Sequence, residues 1–453
     1  MNSTRLHFPS RRQSLAASAL VLVACATFLP ARVPAATAAT TTAAVDAPYR
    51  LTEAPKPRRP LIRPGDRLAI CGDSITEQRM YSRILETYLT VCTPELGIRV
   101  RQYGWSGERA DGFFERQQND VLRFTPTIAT TCYGMNDHRY RPYEPWIGEL
   151  YRIHMDAVVR SFQDAGARVV IGSPGTVGKV PHWVKDAGPT VDALNRNLAE
   201  LRNLAVKVAY ERFTGFADVF TAMWEADRAA RAKYGTNYAV PGKDGVHPDW
   251  AGQLVMAFAF LEGLGVDGDI GTFTVDLRDD LATASEGHQV RSVRDGTITL
   301  RSTKYPFCAA PADPTKDNSV RSGMQWVPFQ ERFNRLRLVV KDAKAPQYTV
   351  TWGEQSRTYT GAALRKGVNL AADFEINPFS EPFKKVDEAV AAKQAFETKQ
   401  IKEEFHGAAG KSNMDATVQR TEAEREPLAA AIRAALVPVE HTLRITAQST
   451  ASR

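Results

Sequence analysis

From residue 67 to about 264, short apolar runs alternate with longer stretches in which apolar residues recur every three or four positions. The short runs fall at 67–71, 98–103, 128–133 and 168–172, with a briefer one at 216–219, and have the length of strands. Between them, Met80, Ile84, Leu85, Tyr88 and Val91 share one helical face. The same spacing links Leu150, Ile153, Ala157, Val158 and Phe162, and then Leu194, Leu198, Leu201 and Val206. A last apolar helix is expected over 254–264. Strands separated by helices pair in parallel, so the pattern predicts an α/β fold with a doubly wound parallel sheet covered on both faces. Such a sheet binds ligands beyond the C-terminal ends of its strands.

After Gly265 the texture changes. Residues 272–277, 297–301, 336–340 and 348–352 alternate in β fashion, with Gly, Pro and Asp between them. Residues 378–436 are helical in pattern and highly charged. Phe383, Val386, Val390, Phe396, Ile401 and Phe405 mark one helix, and Leu428, Ile432 and Leu436 a second, with the turn at 407–412. The charge on this pair is expected to be a solvated face. Residues 441–446 predict a strand returning to the β-rich part. A catalytic unit over 61–265 is therefore expected, followed by an accessory β-rich region with a helical hairpin over 266–453. No internal repeat is evident.

Composition alters this picture mainly at the N-terminus. Arg11 and Arg12 precede an apolar run from Leu15 to Leu29, followed by Ala36-Thr37-Ala38. That charged, apolar, small-residue order predicts a secretory signal over 1–38 and export to a periplasmic or extracellular compartment. The run is too short and Ala-rich for a stable membrane span, so no transmembrane segment is expected once the signal is removed. Ser10-Arg11-Arg12-Gln13-Ser14-Leu15 also resembles a twin-arginine signal, with Ser14 in place of the usual Phe. Leu22-Val23-Ala24-Cys25 resembles a lipoprotein box, but the segment after Cys25 lacks the usual small polar start, which favours ordinary cleavage near Ala38. Residues 39–60, Ala/Thr-rich and then Pro/Lys/Arg-rich, read as a flexible linker. The formal net charge is +7, and removing the four arginines of residues 1–38 lowers it to about +3. The balance gives no basis for a nucleic-acid partner. Of five cysteines, Cys71, Cys92, Cys132 and Cys308 lie beyond the signal, and none forms a CxxC pair. Buried thiols are expected for Cys71 and Cys132, with a disulfide left open in an exported protein.

Three segments leave the first three strands at nearly equal distance. Ser74 follows the first strand in Gly72-Asp73-Ser74-Ile75, Gly107 the second in Gly104-Trp105-Ser106-Gly107-Glu108, and Asn136 the third in Gly134-Met135-Asn136-Asp137. In a parallel sheet all three emerge at one edge, where a hydroxyl, a backbone N–H and a side-chain amide can converge on one carbonyl. The fourth piece, Asp244-Gly245-Val246-His247-Pro248, lies just before the last helix of the unit. An acid and an imidazole three residues apart can share one turn, with Asp244 on one ring nitrogen and the other facing Ser74. Alone, each piece is an ordinary turn or helix cap. In this order, at matched strand ends, they predict a catalytic site.

These four blocks resemble those of the SGNH hydrolases of the GDSL type, over about residues 67–264. The resemblance implies a flavodoxin-like SGNH fold, Ser74 as nucleophile, His247 as general base and Asp244 as the group that orients it. It also implies an oxyanion hole from the Ser74 and Gly107 backbone N–H groups and the Asn136 side chain. Ile75 stands where Leu is commonest in that family, a volume-conserving exchange. Residues beyond Gly265 are not part of the common family core. The expected reaction is acyl transfer from an ester to water through an acyl-enzyme, without a cofactor.

Other signals carry less. Residues 172–179 mimic a phosphate loop, but Ser173 takes the first glycine position and Val180 follows Lys179 where Ser or Thr is needed; a mobile loop at the active edge is expected instead. There is no Gly-x-Ser-x-Gly elbow. His138, His154 and His182 lack metal-ligand spacing. Trp105, His138, Tyr140, His182 and Trp183 are candidate substrate-binding residues, and Tyr143 and Trp146 lie nearby. Aromatics at the active edge suit stacking on sugar rings, or simply the packing of long loops. The favoured substrate is an O-acetyl or O-acyl ester of a carbohydrate, as a small molecule or polysaccharide. The alternatives are a lipolytic esterase or thioesterase, and a non-catalytic glycan-binding protein.

Overall fold

Along β1 (Arg67–Gly72), Leu68 and Ile70 enter one hydrophobic core and Ala69 and Cys71 another, the two-residue alternation of a strand buried on both faces. The computed structural model describes residues 49–57, 59–185 and 188–448; the expected signal over 1–38 lies outside them. After β1 come α1 (Ser74–Glu77), α2 (Tyr81–Val91), β2 (Arg99–Gln102), α3 (Ala110–Asp120) and β3 (Ile128–Cys132). Next are α4 (Pro145–Asp164), β4 (Arg168–Gly172), α5 (Val191–Arg212), β5 (Gly215–Ala217), α6 (Val219–Tyr234) and α7 (Trp250–Leu264). The five strands form one parallel sheet in the order β2-β1-β3-β4-β5. Helices α2, α6 and α7 supply the core on one face and α3 and α4 that on the other, while α5 gives Leu194 and Leu198 to the first and Leu201 and Val206 to the second. Helix α7 is buried nearly all round, as a sequence apolar but for Gln253 and Glu262 requires. Connections run to opposite sides of β1, so a crevice opens beyond the C-terminal ends of β1 and β3.

Residues 49–57, part of the expected linker, lie against this unit. Tyr49 is buried beside Phe220 and Trp224, and Asn203 bonds the backbone of Arg50 and Thr52.

The chain then adds β6 (Asp269–Asp276), β7 (Leu281–Ala284), β8 (His288–Arg294), β9 (Thr297–Ser302), α8 (Val320–Gly323), α9 (Phe329–Phe333), β10 (Arg335–Lys341), β11 (Gln347–Trp352) and β12 (Gln355–Thr360). After α10 (Gly361–Lys366), β13 (Val368–Asn369) and α11 (Leu370–Asp373) comes a helical arm. The arm is α12 (Ser380–Lys399), a wide π-type turn (Gln400–Phe405), α13 (Ala408–Ser412) and α14 (Met414–Ala435), and β14 (Val439–Ala447) ends the described chain. One sheet runs β13-β10-β6-β7 with β6 and β10 parallel; the other, β12-β11-β14-β9-β8, is antiparallel. The α/β expectation and the β-rich region with its helical hairpin both hold. The β-rich part is not a separate appendage: Tyr88 of α2 packs against Phe307, Phe329 and Phe333 and bonds the Phe333 carbonyl at 2.7 Å.

The arm keeps a solvated charged face, with Glu381, Lys384, Lys385, Glu388 and Glu424 among its exposed charges, but Lys393 and Glu397 depart from that expectation and are buried. Strand β2 is an edge strand, and its outward backbone groups need partners. Lys393 donates to the Val100 carbonyl at 2.7 Å, Arg425 to the same oxygen at 3.2 Å, and Glu397 accepts from the Gln102 N–H at 3.1 Å. Lys393 also pairs with Glu86 at 3.0 Å and Glu397 at 2.7 Å, its side chain 2% exposed. Lys393 and Glu397, which read as solvated, are buried because each meets a counter-charge and a backbone group of the sheet edge. Ile401 and Phe405 of the π-type turn close the second core.

Candidate active site

Ser74 opens α1 directly after β1. The Asp73 carboxylate caps the helix, accepting from the Ile75 N–H at 3.0 Å. Ser74 Oγ lies 2.8 Å from His247 Nε2, and His247 Nδ1 lies 2.7 Å from Asp244 Oδ2. The other oxygen of Asp244 accepts from the Val246 and His247 N–H groups, both at 2.9 Å. Burial would raise the Asp244 carboxyl, but these amides and the imidazole outweigh it and hold it below its ordinary value. Gly245 has φ +91°, and a Cβ there would meet the Lys179 carbonyl at 2.4 Å, so the turn carrying Asp244 and His247 needs glycine at its centre.

The predicted oxyanion donors gather at the same edge. The Ser74 and Gly107 N–H groups have no hydrogen-bond partner among the described residues. Asn136 Nδ2 donates to the Glu108 carbonyl at 3.0 Å and lies 3.4 Å from Asp73 Oδ2, while its Oδ1 accepts from the Tyr140 hydroxyl at 3.3 Å. Arg139 and Tyr140 both have positive φ, +57° and +53°, a conformation uncommon for such residues that brings Tyr140 onto Asn136. Burial pushes Asp73 up to about 7 and Asp137 up to about 6; Asp137 accepts from the Ala110 and Gly134 N–H groups.

The candidate substrate residues divide. The Trp183 ring centre lies 5.9 Å from that of His247 and 5.8 Å from that of Tyr140, and Trp183 is 36% exposed. His182 is exposed beside it. His138 is not at the cleft: it is fully buried behind Tyr140, its Nδ1 against the Met135 carbonyl, and burial lowers its pKa to about 4. Trp105 is turned to the arm, edge-on to His406 at 4.9 Å and beneath Lys402 at 5.3 Å. Nor does the loop over 172–179 behave as a mobile segment: residues 172–177 are buried and Asn195 holds Val177 through both its N–H and carbonyl. Cys71, Cys92, Cys132 and Cys308 are free thiols. Among the described residues no His, Cys, Asp or Glu cluster suits a metal, and no helix is long and apolar enough to cross a membrane.

Sequence reasoning missed the groups that hold this edge from behind. Glu108 receives Arg116 at 2.5 and 2.7 Å and the Tyr133 hydroxyl at 2.9 Å, and Arg116 reaches Asp120, which meets His406 of the arm at 2.8 Å. Glu77, three residues after Ser74, was visible only as an S-x-x-E spacing.

Residues 70–255 match the profile of the GDSL-like lipase/acylhydrolase family. Those residues form a GDSL-like lipase/acylhydrolase domain. Its GDSL unit is that of an ester-bond hydrolase. An acetylxylan esterase from Geobacillus stearothermophilus is 26% identical over 221 residues, 45% of this chain and 95% of that protein. The solved structure of a gut microbial diltiazem-metabolizing enzyme superposes with a TM-score of 0.69 at 21% identity, covering 87% of this chain and all of that one. The latter likeness extends the shared fold well beyond the GDSL unit into the β-rich region and arm.

Proposed function

We propose that this protein is a serine esterase that removes acyl groups, acetyl foremost, from carbohydrate esters. The observation that carries the mechanism is the unbroken chain Ser74 Oγ, His247 Nε2, His247 Nδ1, Asp244 Oδ2, with contacts of 2.8 and 2.7 Å. His247 takes the Ser74 proton as Oγ attacks the ester carbonyl. The oxyanion forms where the Ser74 and Gly107 N–H groups are unengaged, and Asn136 offers it the Nδ2 hydrogen that otherwise makes only the long Asp73 contact. The protonated imidazole, steadied by Asp244, then hands its proton to the leaving alcohol. Water enters by the reverse path, and its attack on the acyl-enzyme returns Ser74.

The carbohydrate reading draws on the acetylxylan esterase relative and on Trp183, a half-exposed indole beside His247 that suits stacking on a sugar ring. The test is hydrolysis of p-nitrophenyl esters from C2 to C12, followed by acetate release from acetylated xylan and pectin. Ser74→Ala is expected to abolish turnover while leaving the thermal transition in place. Wild-type turnover by that variant would sink the mechanism, and preference for long chains the substrate. We also propose export, from the residue order of 1–38; N-terminal sequencing of protein secreted by an expressing cell tests it.

A further inference from the structure

The arm reaches the edge where the reaction is proposed to occur. Lys402 of the π-type turn donates to Glu77 Oε1 at 2.7 Å, and the other Glu77 oxygen accepts the Ser106 N–H. Glu77 shares the single turn of α1 with Ser74, and Ser106 directly precedes Gly107. One carboxylate therefore ties the nucleophile's helix to the loop that carries an oxyanion donor. The fit leaves little slack: a Cβ on Gly104 would stand 2.2 Å from the Glu77 backbone nitrogen. Trp105 N–H donates to the Gly72 carbonyl at 3.0 Å, and the Trp105 ring sits under Lys402. Thr398 of α12 meets the same turn, receiving Arg79 and Gln102 at 3.3 Å each, while those two side chains bond the Glu77 and Thr76 carbonyls. Burial would raise the Glu77 carboxyl, but Lys402 and Ser106 outweigh it and keep it ionised.

We propose that Glu77, held by Lys402, is a positioning residue that fixes the 104–107 loop so that the Gly107 N–H meets the oxyanion, which makes the arm part of the catalytic apparatus. The proposal rests on the serine-esterase reading above. Glu77 and Lys402 touch neither substrate nor reacting atoms; they act through Ser106 and the Gly107 peptide. Their loss leaves ground-state binding in place and misplaces a donor needed in the transition state, so the cost falls on kcat. Another charge pair of the arm, Arg83 with Asp387 (Arg83 Nε to Asp387 Oδ1, 2.9 Å), holds it to α2 without reaching the loop.

The experiment compares Lys402→Met, Glu77→Ala, Glu77→Gln and the double variant Glu77→Ala/Lys402→Met with the full-length wild type on p-nitrophenyl acetate. Asp387→Asn serves as an arm-docking control and Ser74→Ala as the mechanism control. Lys402→Met and Glu77→Ala are expected to lower kcat about 10-fold with KM within twofold. Glu77→Gln, which keeps an acceptor for Ser106, should recover most of the loss. The double variant should be no slower than Glu77→Ala, because the two residues act as one unit. Affinity for a methylboronic acid, which forms a tetrahedral adduct with a nucleophilic serine, should fall by the same factor as kcat. Wild-type kcat in Lys402→Met and Glu77→Ala, with Ser74→Ala inactive, overturns the positioning role and leaves the esterase reading standing. An equal loss in Asp387→Asn overturns it too, by making the effect one of arm docking. Activity that survives Ser74→Ala, or a wild type inactive on every ester, removes the esterase reading and the positioning role together.

Discussion

Asn136 is the residue on which the proposed oxyanion hole turns, and it is set by neighbours on both sides. Tyr140 donates to its carbonyl and Glu108 accepts from its amide, so the planar group has one orientation. Asn136→Ala is expected to lower kcat ~10²–10³-fold on an activated acetyl ester, with KM nearly unchanged. Tyr140→Phe keeps the ring and removes one neutral hydrogen bond, worth about 1 kcal/mol, so steady-state kinetics should find kcat about fivefold lower. An equal loss in both variants would mean that the phenol itself, rather than the amide it orients, handles the charge. The alignment of Ser74, His247 and Asp244 was legible because the chemistry proposed for them depends on residue type and on position relative to strand ends, both readable in a chain of letters. Tyr140 was legible only as an aromatic near the site; its left-handed backbone, which decides what it touches, leaves no pattern in composition. His138 misled because a histidine one loop from the proposed nucleophile reads the same whether it faces the cleft or, as here, the core.

Among elements, the antiparallel sheet conceals a polar chain with no sequence signature. Trp352 Nε1 donates to His441 Nδ1 at 3.1 Å, His441 Nε2 meets Ser302 Oγ at 2.9 Å, Ser302 Oγ meets His288 Nδ1 at 2.8 Å, and His288 Nε2 meets the Ile270 carbonyl at 2.9 Å. An indole can only donate and a carbonyl only accept, so the direction is fixed at both ends and both imidazoles are neutral. Burial holds His441 down to about 3 and lowers His288 as well. Because the folded values lie below the unfolded ~6.5, this contribution is full above about pH 6.5 and is lost as pH falls; for His441 the loss runs towards pH 3 at about 1.4 kcal/mol per pH unit, and His288 adds to it in the same direction. His441→Gln keeps one acceptor and one donor but cannot titrate. Urea midpoints should place it below wild type near pH 7 and close the gap by about pH 4.5; parallel curves would rule the account out. Strands β7 and β12 escaped sequence reasoning for a related reason. Neither contains a buried residue, so no apolar alternation marks them. Helix α14 starts fourteen residues before its first recognised apolar marker, Leu428, because its early part packs through only two apolar residues, Met414 and Val418, and otherwise through hydroxyl and ionic groups such as Thr421 and Arg425.

At the scale of the molecule, the GDSL unit leans on the β-rich region and the arm. Lys393 compensates two buried carboxylates and a strand carbonyl, so Lys393→Met leaves Glu86 and Glu397 short of a counter-charge and should destabilise by about 3–5 kcal/mol, read from urea unfolding. Residues 61–265 expressed alone would bare the β2 edge and the Tyr88 side of α2. Aggregation by light scattering is the expected outcome; a soluble, active fragment would show that the arm is dispensable. The parallel sheet could be read from its periodicity, but the arm's attachment could not, since a paired buried charge and a solvated one are the same letter. The central place of β14 in its sheet also governs the order in which the protein can be finished. Strand β9 has β8 on one side and β14 on the other, and Ser302 waits for a His441 that lies 139 residues further along. At ribosomal speeds of ~5–20 residues per second, β9 therefore stays half-paired for roughly 7–28 s after it emerges. During that interval a growing chain has an open strand edge and no histidine relay, which makes nascent chains halted between β9 and β14 the state in which a chaperone or a misfolding partner would find this protein most exposed.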